Sequence, residues 1–141
     1  MCTTHAIAVV ITNPLDDYLI LTVRRPYDDV DLPGIWGFPA TAIKQGESAL
    51  TAATRIATLK LGGKMTIGIM FAENIQERMP QRLMMGLYSA TLDSTSSTLS
   101  IPTRNVDGAT YYIRWKWALA QPLIAEAEIV RSVASWRSEV T

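Results

Sequence analysis

Side chains suited to holding a phosphate or stacking on a planar ligand are concentrated between residues 24 and 38. Arg24 and Arg25 end an apolar stretch, and arginine favours bidentate contact with phosphate. Trp36 and Phe38 follow and have faces on which a nucleobase can stack. Each has a structural alternative, because strand-end arginines are often solvated and strand aromatics more often belong to a core. We treat these four residues as candidate ligand contacts.

Two carboxylates in a later apolar segment are candidate ligands for a hard cation. Glu73 and Glu77 are four residues apart, which puts both on the same face of a strand. That spacing also separates them by roughly 13 Å in an extended chain, too far to share one ion. They are reserve metal ligands only if a turn or bulge lies between them.

The composition excludes several classes of protein. The 141 residues include 13 basic and 13 acidic side chains, so no global field attracts nucleic acid or an anionic membrane. Cys2 is the single cysteine and His5 the single histidine, which excludes a disulfide framework and a histidine-rich metal cage. No apolar run approaches the ~20 residues that cross a bilayer. We expect one domain, residues 1–141, that is cytoplasmic and binds neither nucleic acid nor membrane.

The first elements that position these residues are strands and a long loop. Residues 5–12 and 18–23 are rich in Val and Ile and are separated by a turn sequence, which predicts a hairpin or two neighbouring strands. Residues 27–46 contain several Gly and Pro residues, and a loop of this length is usually functional.

A helix and further strands follow. Residues 47–61 contain neither Gly nor Pro, and an apolar stripe recurs at helical spacing before Gly62-Gly63 ends the helix. Residues 65–78 and 81–92 are predicted antiparallel strands, 93–103 a solvated loop and 109–119 a half-buried strand. Pro122 begins a predicted final helix. The stripe of the first helix comprises Leu50, Ala53, Ala57 and Leu61.

The segment from Trp36 to Gly62 resembles the Nudix box. It reads WGFPATAIKQGESALTAATRIATLKLG. The family pattern has Gly, five residues, Glu, seven residues, then Arg-Glu-apolar-any-Glu-Glu-any-Gly. Glu47, Arg55 and Gly62 match it, whereas Thr41 replaces the first Gly. The resemblance implies an α/β fold, an α/β/α sandwich with a mixed sheet, and hydrolysis of pyrophosphate bonds with divalent metal.

The box departs from the family at its metal ligands. Ile56, Leu59 and Lys60 stand where the family has three metal-binding glutamates. Positions three and four apart share a helix face, so the family gathers carboxylates around Mg²⁺ there. Hydrocarbon cannot coordinate a hard cation, and an ammonium repels one. We therefore expect no ordinary metal site on this helix.

The remaining box residues have competing interpretations. Glu47 and Arg55 are interpreted as a structural pair that fixes the box loop against the helix. Leu59 points away from the apolar stripe, so something apolar should cover it, either the loop around Ile35 and Phe38 or an apolar ligand. Lys60 is either a solvated charge at the negative end of the helix dipole or a cation that holds a phosphate.

Three functions remain open from the sequence. The first is a degenerate Nudix protein that binds a nucleotide or another phosphorylated small molecule, with weak or no metal-dependent hydrolysis. The second is an active hydrolase of nucleoside-diphosphate-linked compounds whose Mg²⁺ ligands are displaced to Glu73, Glu77 or elsewhere. The third is a protein-interaction module that uses the Leu59 face or the tryptophan strand. A homodimer is compatible with the exposed aromatics.

Overall fold

The computed structural model shows a mixed β-sheet with a helix on one face. It describes residues 2–29, 33–78, 81–93, 99–105 and 110–119. The strands are β1 (Cys2–Asn13), β2 (Asp16–Arg24), β3 (Trp36–Gly37), β4 (Ala40–Ala42), β5 (Met65–Arg78), β6 (Gln81–Leu92) and β7 (Arg114–Leu119). The helix α1 (Ala49–Arg55) continues directly into a π-helical segment, Ile56–Leu61.

The sheet has the order β3-β2-β1-β6-β5, with β4 paired to β1 and β7 paired to β2. The β1–β6 pair is parallel, with Cys2 opposite Gln81, and the other pairs are antiparallel. The expected α/β fold with a mixed sheet is confirmed. So is the β1–β2 hairpin, which turns at Asn13 to Asp16. The predicted final helix lies outside the described residues.

Residues 35–43 enter the sheet between β1 and β2. β7 pairs with one edge of β2 from Leu19 to Arg24, so β1 and β3 share the other edge. β1 and β2 pair near their turn, and beyond it β3 pairs with β2 while β4 pairs with β1. The predicted long loop therefore contains two short strands, and its backbone is held by sheet hydrogen bonds on both sides.

The helical segment begins and ends at clear signals. The Ser48 hydroxyl accepts a hydrogen bond from the backbone N–H of Thr51 at 3.1 Å, a standard N-cap. Gly62 ends the segment in the left-handed conformation with φ of 65°. A Cβ at this position would also collide with the backbone carbonyl of Ser100. Both the cap geometry and the packing therefore require glycine, as the predicted stop at Gly62-Gly63 implied.

The buried face of the helix differs from the predicted stripe. The buried residues come in pairs that recur every fourth residue, whereas Leu50 is 62% exposed. The assignment of Leu50 to the core was therefore wrong. A strict four-residue repeat exceeds the 3.6 residues of an α-helical turn, and the wider π segment keeps the last pair facing inward. The buried pairs are Ala52-Ala53, Ile56-Ala57 and Lys60-Leu61.

The two faces of the sheet have separate apolar clusters. The helix-side core contains alternate residues of β1 and β2, together with Ile56, Leu61 and Tyr112. The opposite face has a smaller cluster around Ile20, Trp36 and Leu87.

Among the described residues, no helix is long and apolar enough to cross a membrane.

Candidate functional site

The Glu47–Arg55 ion pair fixes the loop that precedes α1 against the helix. Arg55 Nε and Nη2 donate to the two carboxylate oxygens of Glu47, each at 2.7 Å. Arg55 Nη2 also donates to the carbonyl of Ala42 at 2.9 Å, and Glu47 Oε1 accepts from the backbone N–H of Lys44 at 3.0 Å. The geometry is a fork-to-fork ion pair whose remaining donors hold the loop backbone. This is the arrangement expected of a structural pair.

The contacts of Glu47 also set its charge state. The hydrogen bonds from Arg55, followed by the backbone N–H of Lys44, lower the pKa of Glu47 from 4.5 to about 2. The same hydrogen bonds raise the pKa of Arg55. Glu47 is therefore an anion throughout the physiological range, and its oxygens are already engaged by Arg55 and the loop. Both features favour a structural role over proton transfer.

The box positions that carry metal ligands in the family do not face a common open site. Ile56 is fully buried in the helix-side core. Leu59 is half-buried and Lys60 is 6% exposed. The helix thus presents hydrocarbon to the core and an ammonium to the loop, and none of the three side chains supplies an oxygen donor. These residues do not fit Mg²⁺, which takes oxygen ligands.

Lys60 lies in a closed hydrogen-bond network. Its Nζ donates to the carbonyl oxygen of Ala40 at 2.7 Å and to the hydroxyl of Tyr112 at 3.4 Å. The Tyr112 hydroxyl donates to the same carbonyl at 3.1 Å and accepts from the Ala40 N–H at 3.0 Å. The ammonium also lies 5.0 Å from the Tyr112 ring centroid, within cation–π range. The interpretation of Lys60 as a solvated helix-end charge was therefore wrong.

This network could not be predicted from sequence patterns. Tyr112 lies within the predicted strand 109–119, but in the structure it precedes β7 and is buried against the helix-side core. Its partner is a backbone carbonyl 72 residues away. No side-chain pattern identifies a carbonyl as an acceptor, so the structure alone assigns Lys60 to the interior. A role for Lys60 in phosphate binding stays a prediction, to be weighed against these internal contacts.

A second group of candidates lies on the opposite face of the sheet. Arg24 and Trp36 are opposite each other on β2 and β3, and the Arg24 guanidinium lies 5.8 Å from the Trp36 ring centroid. Lys116 of β7 brings its Nζ to 4.5 Å from the same ring. Arg24 also lies 4.9 Å from the ring centroid of Tyr27, which is 68% exposed. We call Arg24, Tyr27, Trp36 and Lys116 the cationic-aromatic patch.

Sequence reasoning identified two members of this patch as binding candidates but missed Lys116. The register of β7 with β2 brings Lys116 into the patch, because it places Lys116 opposite Thr22 and Arg114 opposite Arg24. That register brings three cationic side chains to one face of neighbouring strands. Charged and apolar residues alternate over residues 114–117, but this pattern does not indicate which strand lies beside them.

The other two candidates of this region, Arg25 and Phe38, differ in their relation to the patch. Arg25 is one residue further along and forms an ion pair with Asp29 at 3.3 Å. Phe38 is half-buried and packs against the cluster that contains Trp36. Arg24 itself donates from Nε to the Gly34 carbonyl at 3.0 Å, which fixes the guanidinium against the loop. Arg24 and Trp36 are thus brought together, whereas Arg25 has a local partner.

The reserve metal ligands are held apart. Glu73 and Glu77 lie in a stretch of β5 whose pairing with β6 is regular, and the bulges of this strand lie between Ile67 and Ala72. The turn or bulge that would bring the two carboxylates together is therefore missing from the stretch between them. Glu77 is exposed and accepts a hydrogen bond from Arg82 Nε at 3.0 Å. Within the described residues, no three acidic, His or Cys side chains form a group able to hold a metal ion.

Comparison with solved structures identifies the fold. The chain is similar to the MutT protein of Methanosarcina mazei Go1, with a TM-score of 0.71 and 14% identity over 88% of this chain and 82% of that one. It is similar to an Ap4A hydrolase of C. elegans, with a TM-score of 0.68 and 17% identity over 97% and 94%. A Nudix hydrolase of Nitrosomonas europaea gives a TM-score of 0.65 and 17% identity over 98% and 88%.

No protein-family model matches the sequence, and no curated protein matches it either. The similarity to solved structures shows that the chain has the Nudix hydrolase fold. The resemblance of residues 36–62 to the Nudix box agrees with it. Fold alone does not fix an activity.

Proposed function

We propose that this protein binds a nucleotide or another phosphorylated small molecule and has weak or no metal-dependent pyrophosphate hydrolysis. The observation that carries the proposal is the burial of Ile56 and Lys60 at two positions where the Nudix box has metal-binding glutamates. Metal-assisted attack of water on a pyrophosphate requires oxygen ligands that hold the ion beside the phosphate. At these positions this helix provides no oxygen ligand.

The cationic-aromatic patch supports the binding half of the proposal. Two cations flank one indole, and the exposed Tyr27 ring lies against Arg24. Guanidinium and ammonium groups attract phosphate oxygens, and an exposed ring offers a stacking surface for a base. Solved neighbours named as an Ap4A hydrolase and as a dihydroneopterin triphosphate pyrophosphohydrolase are consistent with a phosphorylated ligand.

Ligand binding in the presence of a chelator tests the proposal directly. Thermal unfolding is recorded with ADP-ribose or nucleoside triphosphates, in EDTA and in MgCl2. A ligand at 100 times its Kd stabilises the folded state by about 2.7 kcal/mol. We expect a stabilising ligand whose effect persists in EDTA, and turnover that stays at background in MgCl2.

Charge variants locate the binding site. Lys116→Met removes a patch cation but keeps an apolar stem over Trp36, and we expect it to weaken binding. Arg82→Gln is the matched control, because it removes a cation from β6, on the other side of β1 from the patch. Equal affinities in the two variants would place the ligand elsewhere. Efficient Mg²⁺-dependent turnover that vanishes in Glu73→Gln would instead establish the displaced-metal hydrolase.

Association between copies is a second candidate function, favoured by exposed apolar residues on β5. Ile69, Met70 and Ile75 are 75%, 48% and 48% exposed on a strand at the end of the sheet order. Exposed apolar side chains on an edge strand favour pairing with another chain. The tryptophans of β7, by contrast, pack against the helix-side core and are poor candidates for the contact surface. Sedimentation of wild type and Ile75→Lys over a concentration series tests this.

A further inference from the structure

The ammonium of Lys60 contacts two other segments of the chain. The carbonyl oxygen of Ala40 belongs to β4, the Tyr112 hydroxyl to the segment before β7, and Lys60 to the π segment. The carbonyl accepts two hydrogen bonds, and the hydroxyl donates one and accepts two. Every hydrogen-bonding capacity of the hydroxyl is therefore used.

The surroundings of this ammonium consist of oxygen lone pairs and a ring face. Burying a charge is costly unless dipoles or an opposite charge compensate it. Here the compensation comes from a carbonyl at 2.7 Å, a phenolic oxygen at 3.4 Å and the Tyr112 ring. Carbonyl oxygens are also donors that hard metal ions accept. The site is thus selective for a cation, and the chain supplies that cation itself.

We propose that the Lys60 ammonium is a resident cation in the place of a divalent metal ion, and that the native fold therefore does not respond to divalent metal. A second part of the proposal follows from its position. Replacing Lys60 by the glutamate that the Nudix box has there converts the site into a divalent-cation site built from the new carboxylate and the Ala40 carbonyl. This proposal concerns metal dependence of the fold and does not rest on ligand binding at the cationic-aromatic patch.

The dimensions of the site support the conversion. A glutamate carboxylate oxygen reaches as far as the lysine Cε, one bond of about 1.5 Å short of Nζ. With Nζ 2.7 Å from the Ala40 oxygen, that leaves roughly 3.5 Å between the carboxylate and carbonyl oxygens. An ion with metal–oxygen distances of about 2.0 to 2.6 Å bridges such a gap. Without an ion, the same two oxygens repel each other.

Thermal unfolding in EDTA and in millimolar MgCl2 tests both parts. Wild type and Lys60→Met are expected to give the same Tm in the two buffers. Lys60→Glu is expected to have a lower Tm in EDTA and to gain about 5 °C in MgCl2, the shift for an ion at ten times its Kd in a domain of this size. Thr58→Glu is the control, since it adds a carboxylate to the exposed side of the same segment and should not respond.

Two results would overturn the proposal. A Tm of wild type that rises in MgCl2 would show that the native fold uses a divalent ion. A response of Lys60→Glu no larger than that of Thr58→Glu would show that the carbonyl site does not accept one. Should Lys60→Glu fail to fold in EDTA, its soluble yield after refolding from urea with and without MgCl2 makes the same comparison, and equal yields count against the site.

Discussion

Removing the Tyr112 hydroxyl should destabilise the fold more than removing the Lys60 charge. In Tyr112→Phe, the buried N–H of Ala40 loses the acceptor that it contacts at 3.0 Å, while the Ala40 carbonyl keeps Lys60. One buried donor left without a partner costs about 1 to 3 kcal/mol. Lys60 also loses one of its acceptors. We expect a loss of about 2 kcal/mol in the free energy of unfolding.

Lys60→Met leaves a different set of groups behind. The Tyr112 hydroxyl still donates to the Ala40 carbonyl and still accepts from the Ala40 N–H. Every remaining polar group of the network keeps a partner, and a buried charge is replaced by an apolar side chain of similar length. Such exchanges are often neutral, so we expect a change within about 1 kcal/mol of wild type.

Urea denaturation of wild type and three variants measures the difference. The third variant, Tyr111→Phe, is a matched control, because within the described residues the hydroxyl of this half-buried neighbour makes no hydrogen bond. Midpoints compare stabilities if the m-values agree. A cost for Lys60→Met equal to or above that of Tyr112→Phe would refute the reasoning, since it would mean that the ammonium rather than the hydroxyl holds the network.

Three further outcomes follow from the helix and its loop. Because Arg55 holds the pKa of Glu47 at about 2, below its ordinary 4.5, the ion pair stabilises the fold above pH 4.5 and is lost as the pH falls toward 2. Glu47→Gln should therefore lower the Tm at pH 7, and circular dichroism at a series of pH values should show its deficit shrinking between pH 4.5 and 2. Ile56→Glu places a carboxylate in the helix-side core and should cost more than about 4 kcal/mol, whereas Ile56→Val should cost about 0.5 to 1.5 kcal/mol by urea denaturation. Gly62→Ala should cost at least about 1 kcal/mol, and a variant as stable as wild type would contradict the required left-handed cap and the close approach of Ser100.

Local patterns predicted much of the fold. The two long strands, Met65–Arg78 and Gln81–Leu92, have the predicted bounds, because they are two apolar-rich segments that Met79-Pro80 separates. The β1–β2 hairpin and the helix stop at Gly62 were also predicted from local signals. The Glu47–Arg55 pair was found through the box spacing, and its contacts agree with the structural interpretation.

What the sequence did not predict depends on contacts between distant segments. The helix stripe was assigned from apolar residues alone, so a lysine was left out of it and Leu50 was included wrongly. Lys60 is buried because a carbonyl and a phenolic oxygen from other segments accept its hydrogen bonds. The insertion of residues 35–43 between β1 and β2 likewise rests on backbone pairing, which leaves little trace in side-chain periodicity.

The parallel pairing of β1 with β6 has a consequence for synthesis of the chain. Cys2 lies opposite Gln81, so the first strand is made some 80 residues before its neighbour. At a translation rate of roughly 5 to 20 residues per second, about 4 to 16 seconds pass between the synthesis of β1 and that of β6. Throughout that interval the apolar run from Ala6 to Ile11, which is buried on both faces of the finished sheet, is unpaired along the edge that β6 will occupy. The yield of folded protein should accordingly depend on protection of the nascent β1 strand, for example by a chaperone that holds extended apolar segments.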